Sequence, residues 1–208
     1  MKFLRYYCHE IYSVITVLLI LVSAIFVTPD STQVLALVYA FLFLLHEWEE
    51  NNYPGGFFNM LFGEIVGLNL DYSGDTLRES RRFVYILLIV FTFTPYIFHT
   101  YTWLILPIVY LGLVEGLSHS IVMPRVLLRD RRYTPGMVTA ICQFIFSVGA
   151  LGFIIYQGDV AVWQYIVSIF ILLLGLMFMA FNGIRSNGVN PKDIPKIAKK
   201  NIKALRSK

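Results

Sequence analysis

Six ionisable side chains fall within or at the ends of long apolar runs: His46, Glu49, Glu50, His99, Glu115 and His119. An ionisable group in hydrocarbon is costly, so its presence there argues for a function. His46, Glu49 and Glu50 stand at i, i+3 and i+4, within one ~100° arc of a helix. Glu115 and His119 stand at i and i+4, on one face of another. Two imidazoles and three carboxylates on facing helices form an N/O donor set suited to a divalent metal of the zinc or iron/manganese class. Dimetal carboxylate bundles follow the same logic. Without a metal, the same groups form an acid–base set able to move a proton. A plainer alternative has Glu47, Glu49 and Glu50 wetted at a helix end and paired with Arg125 or Arg129. It also makes His46 an ordinary interfacial histidine. Glu115 resists that reading, because His119 is the one titratable basic or acidic side chain within nine residues of it on either side.

These residues must be positioned by membrane elements. The chain has 208 residues, of which 57% are apolar and 14% charged, with a mean hydropathy of +0.67. An ordinary soluble domain carries about 25% charged residues. The composition excludes a disordered chain, and two cysteines exclude a disulfide scaffold. At about 20 residues per crossing, no length remains for a large soluble catalytic domain. The expected fold is all-α: a polytopic membrane helix bundle of six transmembrane helices in a single domain over 1–188. The helices are expected at about 11–28, 32–50, 82–99, 102–123, 135–156 and 160–184. The first reads as a retained helix rather than a cleaved signal, since no small-x-small site follows it. Phe57 to Leu70 is apolar on one stripe but too short to span, which predicts an interfacial or re-entrant helix. Asp71 to Arg82 then reads as a polar loop. Residues 189–208 form a basic amphipathic tail, with Ile194, Ile197, Ala198, Ile202 and Leu205 on one face and lysines around it. Such a helix is expected to lie on anionic lipid.

Charge sets the orientation. With both termini cytoplasmic and six crossings, all 17 Lys and Arg residues fall inside, and the outer turns hold Asp30 and Asp159. This is the pattern of a multi-pass protein of the cell membrane. Glu115 and His119 then lie roughly 12 Å and 6 Å from the inner end of their helix, at 1.5 Å per residue. That is the level of His46, Glu49 and Glu50. His99 belongs to the outer turn, beside Tyr101 and Trp103, where an aromatic belt accounts for it. Arg125 and Arg129 stand where an anionic substrate headgroup would meet them. The basic charge follows topology, and no nucleic-acid module is present.

His46-Glu47-Trp48-Glu49-Glu50 followed by Pro54-Gly55-Gly56-Phe57 resembles the signature of the HXXEE-domain family of small bacterial integral membrane proteins. His119, Tyr133-Thr134-Pro135-Gly136 and Thr139 support the likeness, which runs from about Leu35 to Cys142. The family's function is not established, so the resemblance supports the site and implies no reaction. Its glycines and prolines have physical content: Pro54, Gly55 and Gly56 end a helix just after the carboxylates and let the next segment fold back. Pro135-Gly136 is expected to open the fifth helix.

The residues support a membrane-embedded enzyme, a hydrolase if metal-dependent or an isomerase if acid–base, acting on a lipid or isoprenoid. His46, Glu49, Glu50, Glu115 and His119 would be its catalytic and metal-binding residues. A non-catalytic lipid-binding or assembly protein is the alternative. A proton-coupled transporter fits less well, because the outer half offers only His99 and scattered hydroxyls and no inverted repeat is visible. Charge placement predicts that a reporter fused after Lys208 reads as cytoplasmic. A reporter active only on the outer side would reverse the orientation.

Overall fold

The computed structural model describes residues 3, 6–68, 75–128 and 132–206. The order is α1 (Cys8–Phe26), α2 (Ser31–Asn51), a short lid helix of π geometry (Asn59–Val66) and α3 (Asp75–Ile97). A 3₁₀ turn (Thr102–Ile105) leads into α4 (Leu106–Leu117), which continues as a π-helix (Ser118–Leu127). Then come α5 (Met137–Gln157), α6 (Val162–Ser186) and α7 (Ile194–Arg206). No strand occurs among the described residues. Five helical stretches are long and apolar enough to cross a membrane: α1, α2, Thr102–Leu127, α5 and α6.

Glycines and hydroxyls hold these helices together. α4 packs along α5 more extensively than any other pair. A Cβ on Gly112 would meet Ser147 Oγ at 2.3 Å, and one on Gly116 would meet Phe144 Cβ at 2.4 Å. This small-xxx-small spacing lets backbones approach closely where lipid supplies no hydrophobic drive between helices. Tyr39 donates to Ser147 Oγ at 2.9 Å, and Gln143 donates to the Leu42 carbonyl at 3.3 Å, tying α2 to α5. Tyr12, Tyr39, Phe43, Tyr85 and Leu88 fill the core between α1, α2 and α3.

The bundle has two distinct ends. At one, Asp30 caps α2 in a reciprocal capping box with Gln33 and takes His99 Nδ1 at 2.5 Å. His99 is therefore at a turn, at the end of the bundle away from His46 and His119. At the opposite end lie the lid helix, the loop before α5 and α7. Arg132 bonds Glu64 of the lid. Asn201 of α7 donates to the carbonyls of Glu64 at 2.6 Å and Ile65 at 3.0 Å.

Three boundaries differ from the sequence expectation. Residues 75–82, expected as loop, already belong to α3; no Gly or Pro interrupts them, and Leu77, Arg78 and Glu79 are good helix formers. The expected loop's residues 71–74 lie outside the described residues. α5 begins at Met137 rather than at Pro135, because Gly136 has φ +91° and its left-handed conformation cannot continue a helix. The lid helix ends at Gly67, φ +83°, short of the expected Leu70, which lies outside the described residues. On α7, Ile194, Ile197, Ala198 and Ile202 are half-buried while the lysines are exposed; its packing partner is the lid. The Leu205 side chain lies outside the described residues.

The lid is held to α7 by two hydrogen bonds from one amide, each worth about 0.5–1.5 kcal/mol. Asn201→Leu should therefore raise amide hydrogen exchange across residues 59–66 roughly tenfold and leave α4 unchanged.

Candidate metal centre

Four side chains converge at the lid end of the bundle. His46 and Glu50 come from α2, Glu115 from α4 and His119 from the π continuation of α4. One ligand atom of each lies within 4.8 Å of all the others. Glu50 Oε1 is 3.3 Å from His46 Nε2 and 3.1 Å from His119 Nε2. Glu115 Oε2 is 3.9 Å and 3.4 Å from the same two nitrogens. A metal with bonds of about 2.1 Å has donor–donor edges of about 3.4 Å if tetrahedral and 3.0 Å if octahedral. The four separations, 3.1–3.9 Å, bracket the tetrahedral edge and lie just above the octahedral one.

Local backbone geometry explains the convergence. Pro124 lacks an N–H and would clash with a carbonyl four residues back. The chain from Ser118 to Leu127 accordingly runs as a π-helix, a form frequent at functional sites. Over the group sits the turn Tyr133-Thr134-Pro135-Gly136. A Cβ on Gly136 would lie 2.8 Å from His46 Cε1 and from Glu50 Cγ, and 2.9 Å from His119 Cε1. Only glycine closes this roof without displacing the site. Phe57, next to the lid helix, stacks on the His119 ring at 4.9 Å and 26°.

Glu49 stands apart from the four. Expected as a fellow ligand, it turns to the start of α5, where Glu49 Oε1 accepts from the amide of Val138 at 3.1 Å and from the Tyr133 hydroxyl. Glu49 Oε2 accepts from the Thr139 amide at 2.8 Å and its hydroxyl at 2.5 Å. A helix N-terminus presents unpaired N–H groups to just such an anion. Burial and the Glu49 carboxylate hold the Tyr133 phenol above its usual range, so it stays a donor.

This arrangement sets the histidine tautomers. Thr139 gives its hydroxyl proton to Glu49, so its oxygen can only accept from His46 Nδ1, 2.9 Å away. The Nδ1 proton then points at Thr139, and in the neutral imidazole Nε2 presents a lone pair to the group. Thr134 likewise donates to the His119 carbonyl at 2.9 Å and faces Nδ1 of that ring at 3.5 Å. His119 is fully buried, and its Nε2 faces Glu50 Oε1 and Glu115 Oε2 at 3.1 Å and 3.4 Å. With both imidazoles neutral, two nitrogen lone pairs and two carboxylates face one another out of water, a set that a divalent cation would balance, and the donor chemistry fits a divalent metal.

Sequence spacing found all four converging residues. It missed the positioning threonines, whose signal was the hydroxyls flanking Pro135-Gly136. It also missed Glu47, only 3% exposed and held by Asn51 Nδ2 at 3.0 Å. The wetted-end alternative for Glu47, Glu49 and Glu50 is corrected: all three are buried. Arg125 does not reach the group but lines a separate hollow with Ser120, Pro124 and Met137. Arg129 lies outside the described residues.

An all-helical bundle with apolar, membrane-length helices and a buried two-histidine, two-glutamate group is the class of protein that fold and site define. Residues 37–151, more than half of the chain, match the family described as protein of unknown function with HXXEE motif, and the chain belongs to that family. No curated protein and no solved structure matches it.

Charge-assisted hydrogen bonds are the stronger ones, and Glu49 accepts four. Glu49→Gln should lower unfolding stability by about 2–3 kcal/mol, read as an earlier melt in detergent. Gly136→Ala should cost as much through its φ and the three contacts above. A melt unchanged in both variants would remove the roof from the account.

Proposed function

We propose that His46, Glu50, Glu115 and His119 hold a divalent cation and that the protein is a membrane-embedded, metal-dependent hydrolase acting on a lipid or isoprenoid. The carrying observation is that both Nε2 atoms and both carboxylates turn inward onto one point, with His46, Glu50 and His119 buried. Two neutral imidazoles and two carboxylates balance a charge of +2, so the loaded group is neutral, as a low-dielectric site requires. A cation bound there supplies Lewis acidity and makes a water nucleophilic near neutral pH. His46 and His119 are held by Thr139 and Thr134 so that their lone pairs do not rotate away. Phe57 and the roof at Gly136 exclude bulk water. A cavity adjoins the group on its open side, where Glu47 also lines it.

Hydrolysis is preferred over proton-transfer isomerisation because a cation held by both Nε2 atoms and both carboxylates would leave none of the four free to carry a proton. α3 is the sixth crossing in this reading, and the termini are cytoplasmic because the basic residues collect at that end. The lysines of α7 face away from the lid, which supports their contact with anionic headgroups.

Elemental analysis of the purified protein, after equilibration with zinc, manganese or ferrous iron, tests the centre. About one ion per chain is expected, falling close to zero in His46→Ala and Glu115→Gln. Thr139→Val should retain the ion with roughly 10–100-fold weaker affinity, as a lost outer partner does. Wild-type protein that binds none of the three metals would overturn the reading.

A further inference from the structure

Beside the four-residue group lies a cavity of about 300 Å³. Its two sides differ in chemistry. The carboxylates and the imidazole of His46 come from α2 and α4, whereas α3, α6 and the lid contribute apolar side chains, among them Leu87, Leu88, Leu176, Met179 and Phe62. No lysine or arginine is among the described residues that line it; Arg81 lies behind its wall, over the ring of Phe58 at 5.3 Å. Its lining runs from Leu176 on α6 to the cap residue Asn187, about 16 Å at 1.5 Å per residue and close to one leaflet of a ~30 Å hydrocarbon core. The volume is room for a hydrocarbon chain on the order of ten methylenes.

The wall between α3 and α6 opens toward the site end. At Gly175 the two helices are pressed together: a Cβ there would lie 2.5 Å from Leu87 Cδ1 and 2.8 Å from Phe91. At Gly183, two turns further along α6, a Cβ would meet nothing within 4 Å. α6 is also the least buried of the five membrane-length helices, and Phe178 and Phe181 lie exposed along it. The crevice therefore faces the surrounding hydrocarbon.

We infer that this cavity binds a single hydrocarbon chain of a membrane amphiphile, which enters sideways between α3 and α6 and presents its reactive group to the four-residue centre. This deepens the hydrolase reading by naming the apolar part of its substrate, and it rests on that reading for what the chain is for. The site selects on chain length, since the pinch at Gly175 stops a chain that the Gly183 end admits.

The test uses the full chain in phosphatidylcholine vesicles with a trace of a twelve-carbon fatty acid bearing a terminal diazirine. Illumination should label residues of α3 and α6 around the cavity. Unlabelled laurate should compete, and a sterol should not. Gly183→Phe and the milder Ala180→Leu should each reduce the competable labelling at least fivefold while metal content stays at the wild-type level, which also certifies folding. Labelling that no competitor reduces, or that both variants leave unchanged, would overturn the inference with the metal centre intact. Competable labelling in a protein that binds no metal would instead sink the hydrolase reading and leave the chain site standing.

Discussion

The carboxylate of Glu49 on the amino end of α5 is the interaction on which the rest depends. An anion inside a helix bundle must be matched, and here four donors match it: two backbone amides and two hydroxyls. A helix start supplies part of that match without further charge. The bond joins two helices separated by 85 residues of chain and fixes the turn that roofs the site. It also decides which way the Thr139 proton points, and through that oxygen it decides which nitrogen of His46 is free. A motif that looks like three equivalent polar residues thus divides its labour. His46 and Glu50 face the centre, and Glu49 sets the frame that makes them face it.

Burial is what turns this geometry into chemistry. Glu50 and His119 are each shielded from solvent, so their mutual electrostatics are not diluted by water. The glycine at 136 and the ring of Phe57 keep them so. The close packing of α4 on α5 through Gly112 and Gly116 does the same from below, by holding Glu115 at a fixed distance from α2. A side chain at any of the three glycines would have to push against a neighbour that is itself part of the site or its support.

Much of this was legible in the residue order, for reasons that are themselves physical. A long apolar run cannot hide, so the helices were legible to within a few residues. Helical spacing placed His46 beside Glu50 and Glu115 beside His119 before any coordinate was known. The basic residues marked which ends belong together. Spacing could not separate Glu49 from Glu50, because both fall within the same arc as His46; only the position of α5 decides between them. It could not find Thr134 and Thr139 as positioning groups, since a threonine in an apolar helix usually bonds its own backbone. Nor could it place α3's first turns, where charged residues look like a loop although their propensity is helical. The π geometry around Pro124 was invisible for the same reason: it answers a steric conflict that exists only once the helix is built.

The division of the cavity between two sets of helices has a consequence for how such a protein can change. Every donor sits on α2 or on α4 and its π continuation, within residues 37–151, while α6 carries apolar wall and no donor. The four-residue group and the cavity wall are therefore separable. Substitutions along Leu176–Gly183 could admit a longer, shorter or bulkier molecule without altering the charge, the tautomers or the spacing of the centre. For an engineer, α6 is a tuning dial, and turning it leaves the machinery alone.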